Sequence, residues 1–397
     1  MGRSKACRIT LFAFMILWGA VAQNRAVAIS ARASDNPTVT IVVKSSSRAE
    51  SYSTMTVNSP RLAKAIARAE YEKTDGLSKK IAWPDVEVIL QAASSPQSIV
   101  LRIEQSGTLF DESSSRRLIL SKPYSERLRK YAEALRGAHY GELVRWEEAK
   151  SIVKRKSIIT VTDLETGLSF RVQRRAGSDH ADVQPISKED SKIMKGIYGG
   201  QWSWDRRAIV VGSNGHRIAA SMNGMPHGGD GIPGNDFSGH SCIHFQESTS
   251  HKSDVPDPAH QLMVNKAAGN LQPYLDSASP FVIAASFIEA LHQRDIELLR
   301  QIWKDMPQET AAYYEGMMTT LTSIRIKADT LRKKPKEAGE QELSATVDVP
   351  ITIYGKGKSG RGSTYRFAFN RESPEAPWRI AGISPPGPGL GHSSLIP

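Results

Sequence analysis

The chain is poor in cysteine: it holds only Cys7 and Cys242. That scarcity excludes a disulfide framework and the paired-cysteine spacings of zinc ribbons and fingers. The compact His-Glu-x-x-His pattern of helical zinc hydrolases is also missing. Aromatics make up 7% of the residues, and no arginine-rich helix carries them interleaved with basic side chains. Nucleic acid is therefore not an expected partner. Beyond Ala22 no run is long and apolar enough to cross a bilayer.

What is present begins with the amino terminus. Arg3, Lys5 and Arg8 flank an apolar run from Ile9 to Ala22, broken only by Thr10 and Gly19. Small-x-small patterns follow at Ala20-Val21-Ala22 and Ala26-Val27-Ala28. This pattern predicts a secretory signal peptide over residues 1–28, with an uncleaved anchor as the alternative. The mature protein is then expected outside the cytoplasm, in the cell envelope or secreted, with no transmembrane segment. Cleavage would remove Cys7 and leave Cys242 as a lone thiol, either an inert buried hydrophobe or a nucleophile. The formal charge is +11, and loss of Arg3, Lys5, Arg8 and Arg25 leaves about +7. A mildly basic exported chain is drawn to anionic envelope polymers.

Periodicity divides the rest into a multidomain α+β protein. Residues 29–36 are small and polar, and residues 37–142 read as an α+β module. Strands are expected at Thr38–Val43, Val86–Leu90, Ser98–Ile103 and Arg117–Leu120, with helices over Ser59–Glu72 and Pro123–Leu135. Residues 143–278 read as mainly β. A short helix is expected at Trp146–Lys154 and another near Ser187–Tyr198. One hairpin is expected over Ile158–Val172, turning at Glu165-Thr166-Gly167, and a second over Ala208–Met222, turning at Gly212-Ser213-Asn214-Gly215. Residues 279–384 show helices at Phe281–Leu291, Glu297–Trp303 and Pro307–Leu321. Strands follow at Ile324–Ala328, Leu343–Tyr354, Ser363–Asn370 and Trp378–Ala381. This order of helices before a curved antiparallel sheet resembles the nuclear-transport-factor-like cone fold, which implies an independently folding domain. Residues 385–397 read as a disordered tail.

The chemistry concentrates in Met225-Pro226-His227-Gly228 and in Gly239-His240-Ser241-Cys242-Ile243-His244-Phe245. Fourteen residues separate His227 from Cys242, and glycines with Pro233 make the connection a loop. A thiol attacks as thiolate, so it needs a neighbouring base, and a histidine returned by such a loop supplies one.

This arrangement resembles the L,D-transpeptidase catalytic domain of the YkuD type over roughly residues 155–265. That family carries a His-Gly or His-Ser pair, a loop of similar length, and Ser-His-Gly-Cys followed by an apolar residue and Arg or Asn. Here Gly239 stands for the serine, Ser241 for the glycine and His244 for the Arg or Asn, the pattern of a divergent branch. The resemblance implies that Cys242 attacks a peptidoglycan stem peptide and that His227 is the base, with His240 in support. A carbonyl near Gly228 would orient the imidazole. Gly228, Gly239, Ser241 and His244 would line the substrate and oxyanion positions. No metal or cofactor is implied. The central fold would be L,D-transpeptidase-like, with Cys242 at the mouth of a cleft and its thiol activated.

Other residues have plainer readings. Ser178–Asp182 reads as a solvated loop, although His180 and Asp182 with His227, and with His240 or His244, would also suit a zinc hydrolase. His251 and His260 are expected at turns. Trp202 and Trp204 are expected beneath the catalytic sheet or along a glycan groove. The remaining alternative is a noncatalytic envelope-binding protein with a decayed site.

Overall fold

The computed structural model describes residues 37–73, 82–91, 98–229, 231–250, 255–332, 338–357 and 359–384. The expected leader with Cys7, the reading of His251 and the terminal tail lie outside the described residues. What is described is a multidomain α+β protein built mainly on antiparallel sheets. No helix among the described residues is long and apolar enough to cross a membrane.

The first region comprises β1 (Thr38–Lys44), β2 (Tyr52–Val57), α1 (Pro60–Ala67), β3 (Tyr71–Lys73), β4 (Ala82–Gln91), β5 (Ser98–Glu104), β6 (Leu109–Asp111), β7 (Arg116–Leu118) and α2 (Lys122–His139). Its strands form one sheet in the order β2-β1-β4-β5-β6-β7-β3. The side chain of Ser59 caps α1 on the N–H of Leu62, and Pro60 occupies the first turn, where its missing N–H leaves nothing unsatisfied. The helix expected to reach Glu72 stops at Ala67, because the chain leaves it to pair Tyr71–Lys73 with β7.

The central region contains α3 (Trp146–Ile152), β8 (Ile158–Asp163), β9 (Ser169–Ala176), β10 (Ala181–Pro185), α4 (Lys188–Ile197), β11 (Arg207–Ser213), β12 (His216–Met222) and β13 (Ser241–His244). The six strands close into a barrel in the order β10-β13-β12-β11-β8-β9. Alternation in β8 sends Ile159 and Val161 inward, where they meet Phe170, Val172, Ile209 and Val211. The expected turn at Glu165–Gly167 is present: Asp163 accepts from the N–H and hydroxyl of Thr166, and Gly167 takes a φ of 71°. The carbonyl of Glu165 also accepts from the N–H groups of Glu50 and Ser51, tying the first region to the barrel.

The last region holds α5 (Pro258–Ala267), α6 (Leu271–Ser277), α7 (Pro280–His292), α8 (Ile296–Ile302), α9 (Gln308–Thr320), β14 (Leu321–Ile326), α10 (Ala328–Arg332), β15 (Ser344–Gly355), β16 (Arg361–Asn370) and β17 (Arg379–Ser384). Its four strands pair antiparallel in chain order. One apolar cluster runs from Ile41 and Val88 of the first sheet, through Ala208, Val210 and Ala219 on the outer barrel face, to Phe287 of α7 and Phe367 of the last sheet. It passes through residue 279 without interruption, because α7 is buried along nearly its whole length.

The first region docks through the end of α2. Gly141 donates to the carbonyl of Ala267, and a Cβ there would fall 2.5 Å from the nitrogen of Ala219. Next to it His139 is buried, with Nδ1 3.0 Å from the hydroxyl of Ser53. Burial pushes this imidazole down to about 4, against the opposing charge of Asp85 and with the help of Arg217. The folded chain therefore holds His139 neutral, whereas the unfolded chain protonates it near its ordinary value. Stability is full above about pH 6.5 and falls as the pH drops to about 4, by roughly 3 kcal/mol. Urea unfolding at about pH 7 and about pH 4.5 is expected to show that loss, and a His139→Gln chain to show less of it.

Candidate functional site

The site is organised by β13. Its four residues, Ser241-Cys242-Ile243-His244, are all buried and pair with β10 on one side and β12 on the other. Ile243 points into the barrel. Strand alternation therefore turns Cys242 and His244 outward. Cys242 stands directly opposite Asp182, so the two side chains share that outer face. The thiol Sγ lies 4.0 Å from Oδ1 of Asp182.

The Gly-rich connection folds back onto this face. His227 and His240 form an antiparallel bridge, each N–H donating to the other's carbonyl at 3.0 and 2.8 Å. The two glycines beside them make this crossing possible. Gly239 has a φ of 104°, and a Cβ there would lie 2.4 Å from the carbonyl oxygen of His227. Gly228, at a φ of 72°, would put a Cβ 2.4 Å from the His240 ring.

The bridge delivers His227 to the thiol. Its Nε2 lies 3.3 Å from Sγ of Cys242. Its Nδ1 lies 2.9 Å from the carbonyl of Met225, which only accepts, so Nδ1 carries the proton. Nε2 of the neutral ring then presents its lone pair to the thiol, the tautomer a general base requires. The orienting carbonyl is Met225, not one near Gly228. The His240 ring centroid lies 4.4 Å from that of His227, and its Nε2 is 3.9 Å from Oδ1 of Asp182.

Three further sequence readings change. Residues 181–185 are a strand buried on both faces rather than part of a solvated loop, and His180 is buried beside it. His180 places Nδ1 2.8 Å from the carbonyl of Thr249 and Nε2 3.2 Å from Oδ1 of Asp182. His260 is not at a turn: it lies inside α5, with Nδ1 2.9 Å from the hydroxyl of Ser221. His244 sits between them, its ring stacked on His180 at 4.5 Å and on His260 at 3.7 Å. Burial, then the neighbouring imidazoles, push His244 far below the ordinary histidine range; burial and the Arg206 charge do the same to His260. Of the residues expected to line the substrate, His244 thus faces the interior stack, and Ser241 is buried with no hydrogen-bond partner for its hydroxyl among the described residues. Trp202 packs edge-on against Phe237, while Trp204 is partly exposed with its ring 4.9 Å from that of His227.

Cys242 itself is only 4% exposed, beneath the folded-back connection, not at an open cleft mouth. Burial pushes its thiol well above the ordinary cysteine value, and the Asp182 charge adds to the rise. The neutral thiol, not a preformed thiolate, is the resting species.

The close crossing yields a direct test. Gly239→Ala forces a side chain onto the His227 carbonyl in a left-handed backbone, at a cost of at least about 1–3 kcal/mol. Thermal unfolding is expected to show that loss, together with loss of His227-dependent Cys242 reactivity. Gly229→Ala, where a Cβ meets nothing within 4 Å, is expected to change neither. No family model matches the chain, and no curated protein matches it in sequence.

Proposed function

We propose that the barrel is an L,D-transpeptidase-like cysteine acyltransferase of an exported envelope protein, acting on peptidoglycan stem peptides. The observation that carries this reading is the 3.3 Å contact between Sγ of Cys242 and Nε2 of His227, with the ring fixed in the required tautomer by the Met225 carbonyl. The last region's helices on an antiparallel sheet fit a nuclear-transport-factor-like cone, serving as a scaffold beside the barrel.

The buried thiol decides how the first step runs. A resting thiolate would sit beside the Asp182 carboxylate in a largely desolvated position, which disfavours it. The proton therefore passes from Sγ to Nε2 of His227 as sulfur attacks the peptide carbonyl, in one coupled event. N–H groups around Ser241 and Cys242 would receive the developing oxyanion. As the tetrahedral intermediate collapses, the C–N bond breaks and His227 returns the proton to the leaving amine, leaving a thioester on Cys242. An acceptor amine then attacks the thioester, gives its proton to His227, and leaves with the acyl group as a cross-link. Water in its place gives hydrolysis. Sulfur recovers its proton in either case. The mildly basic surface would favour the anionic envelope polymer.

Incubation with stem peptides followed by intact-protein mass spectrometry tests this reading. A thioester-sized mass increase is expected in the native chain and none in Cys242→Ser. His227→Ala is expected to slow its formation on the order of 10²–10⁴-fold. A carbapenem is a second probe of the same thiol. Because the thiol is buried and neutral at rest, iodoacetamide is expected to label Cys242 more slowly than an ordinary exposed thiol near pH 7. No adduct with any stem peptide, alongside unchanged labelling in His227→Ala, would remove the proposal.

A further inference from the structure

Two groups of nitrogen and sulfur donors converge on Cys242. His227, His240 and Cys242 each offer one donor atom, all within 4.8 Å of one another, and so do His180, Cys242 and His244. The second group is poorly built for a shared ion. The rings of His180 and His244 stack at an interplanar angle of 18°, so their in-plane lone pairs run side by side and do not converge. Their Nδ1 atoms are also engaged by the Thr249 carbonyl and the Ser248 hydroxyl.

The first group has the opposite geometry. The rings of His227 and His240 are inclined at 58°. Asp182 flanks this group without joining it, with Oδ1 3.9 Å from Nε2 of His240 and 4.0 Å from Sγ of Cys242. The sulfur to His227 Nε2 edge is 3.3 Å. Zinc bonds of about 2.0–2.3 Å place the corners of a tetrahedron about 3.3–3.7 Å apart, and the sulfur to nitrogen edge already has that length. The surroundings also suit a metal. Nδ1 of His227 donates to the Met225 carbonyl, and Asp182 stands beside Nε2 of His240, the outer contacts that orient metal-bound imidazole.

We propose that Cys242, His227 and His240 form a zinc site that locks the thiol. Zinc forms bonds to Sγ and to one nitrogen of each imidazole, a water or other small donor completes the tetrahedron, and the thiol proton leaves to solvent. The ion occupies both the nucleophile and its base. The site uses the same side chains as acyl transfer but does not depend on that activity.

The test uses the full chain after treatment with a chelator. Cobalt(II) is titrated first, because its spectrum reports coordination. The expected result is one cobalt per chain, with intense visible bands of a tetrahedral ion and a thiolate-to-cobalt charge-transfer band, displaced by one equivalent of zinc. Zinc is expected to slow iodoacetamide labelling of Cys242 by about tenfold or more. His240→Ala and the isosteric Asp182→Asn are expected to weaken binding by about 10–100-fold or more. His216→Ala, on the exposed β11–β12 hairpin, is expected to leave it unchanged. A weak octahedral spectrum without the thiolate band, or affinity unaltered by both His240→Ala and Asp182→Asn, overturns the site. So does loss of binding in His216→Ala. The spectrum needs no peptide, so a cobalt-binding chain that forms no acyl adduct refutes only the transferase reading. A chain that acylates but gives no thiolate band refutes only the zinc site.

Discussion

Closure of the barrel through a four-residue strand is the constraint on which the rest of the site depends. β13 must pair with both β10 and β12. Once Ile243 is committed to the interior, Cys242 and His244 must face outward. A one-residue slip would bury the thiol in the barrel and expel the isoleucine. The same closure sets Asp182 opposite the thiol and Ser221 opposite His244. It leaves the outer face to be covered by α5, whose His260 meets both His244 and Ser221. The chemistry of the site is therefore a by-product of strand register, with His227 added by a loop that crosses back at a single bridge.

Covering the outer face of a barrel buries polar groups, and the protein compensates with specific partners. Lys266 of α5 is buried between Glu165 at 2.8 Å and Asp295 at 3.4 Å. Burial opposes the ammonium charge, but these two carboxylates outweigh it and keep Lys266 protonated. Burial would also raise Glu165, yet the Lys266 charge and the Ser46 hydroxyl bring its carboxyl down to about 2. Ser46 belongs to the first region, Glu165 to the barrel turn and Asp295 to the cap of α8, so the ammonium joins the barrel to the last region and Glu165 carries the link on to the first. Such an ion cluster contributes more to a fixed arrangement than to net stability, because the desolvation penalty cancels much of the attraction. Arg206 and Asp257 repeat the pattern at the start of α5. The helix that seals the histidine stack is thus held at both ends by charge.

Much of this was legible in the sequence where local pattern and environment agree. The β8–β9 and β11–β12 hairpins have one face in the core, so period-two alternation and Gly-containing turns announced them. The pairing of His227 with Cys242 was suggested by residue type and loop length. β10 was not legible, because a strand covered on both faces hides polar residues as well as apolar ones. The polar run Ser178–Asp182 read as a loop, which concealed that a strand begins at Ala181. α5 was missed because nearly every residue in it is buried, Gln261, Asn265 and Lys266 included, so no polar face marked the helix. His180 was read as solvated and His260 as part of a turn for the same reason. Their partners, the Thr249 carbonyl and the Ser221 hydroxyl, are brought by distant segments whose approach no local pattern encodes. The state of the thiol was equally hidden, since it depends on burial and on the carboxylate across the strand pair.

The residues around Cys242 that differ from the motif it resembles have a physical reason in this backbone. Glycine is needed where the returning loop crosses the strand entry, because the chain turns left-handed at 239 and touches the His227 carbonyl. A serine there would push the two backbones apart and withdraw the imidazole from the thiol. Position 241 makes no such demand: it lies within β13, opposite Val183, where an L-residue is at home. The exchange of glycine and serine around His240 moves conformational freedom from the strand to the crossing. The burial of the Ser241 hydroxyl, which has no hydrogen-bond partner among the described residues, is a local polar cost of serine at this position. His244 follows from register as well. An outward residue two positions after the thiol lies under α5 here, where an arginine would need a buried counter-charge and a neutral imidazole can stack between two others. The exposed aromatic beside the thiol–imidazole pair is therefore Trp204, whose ring lies 4.9 Å from that of His227.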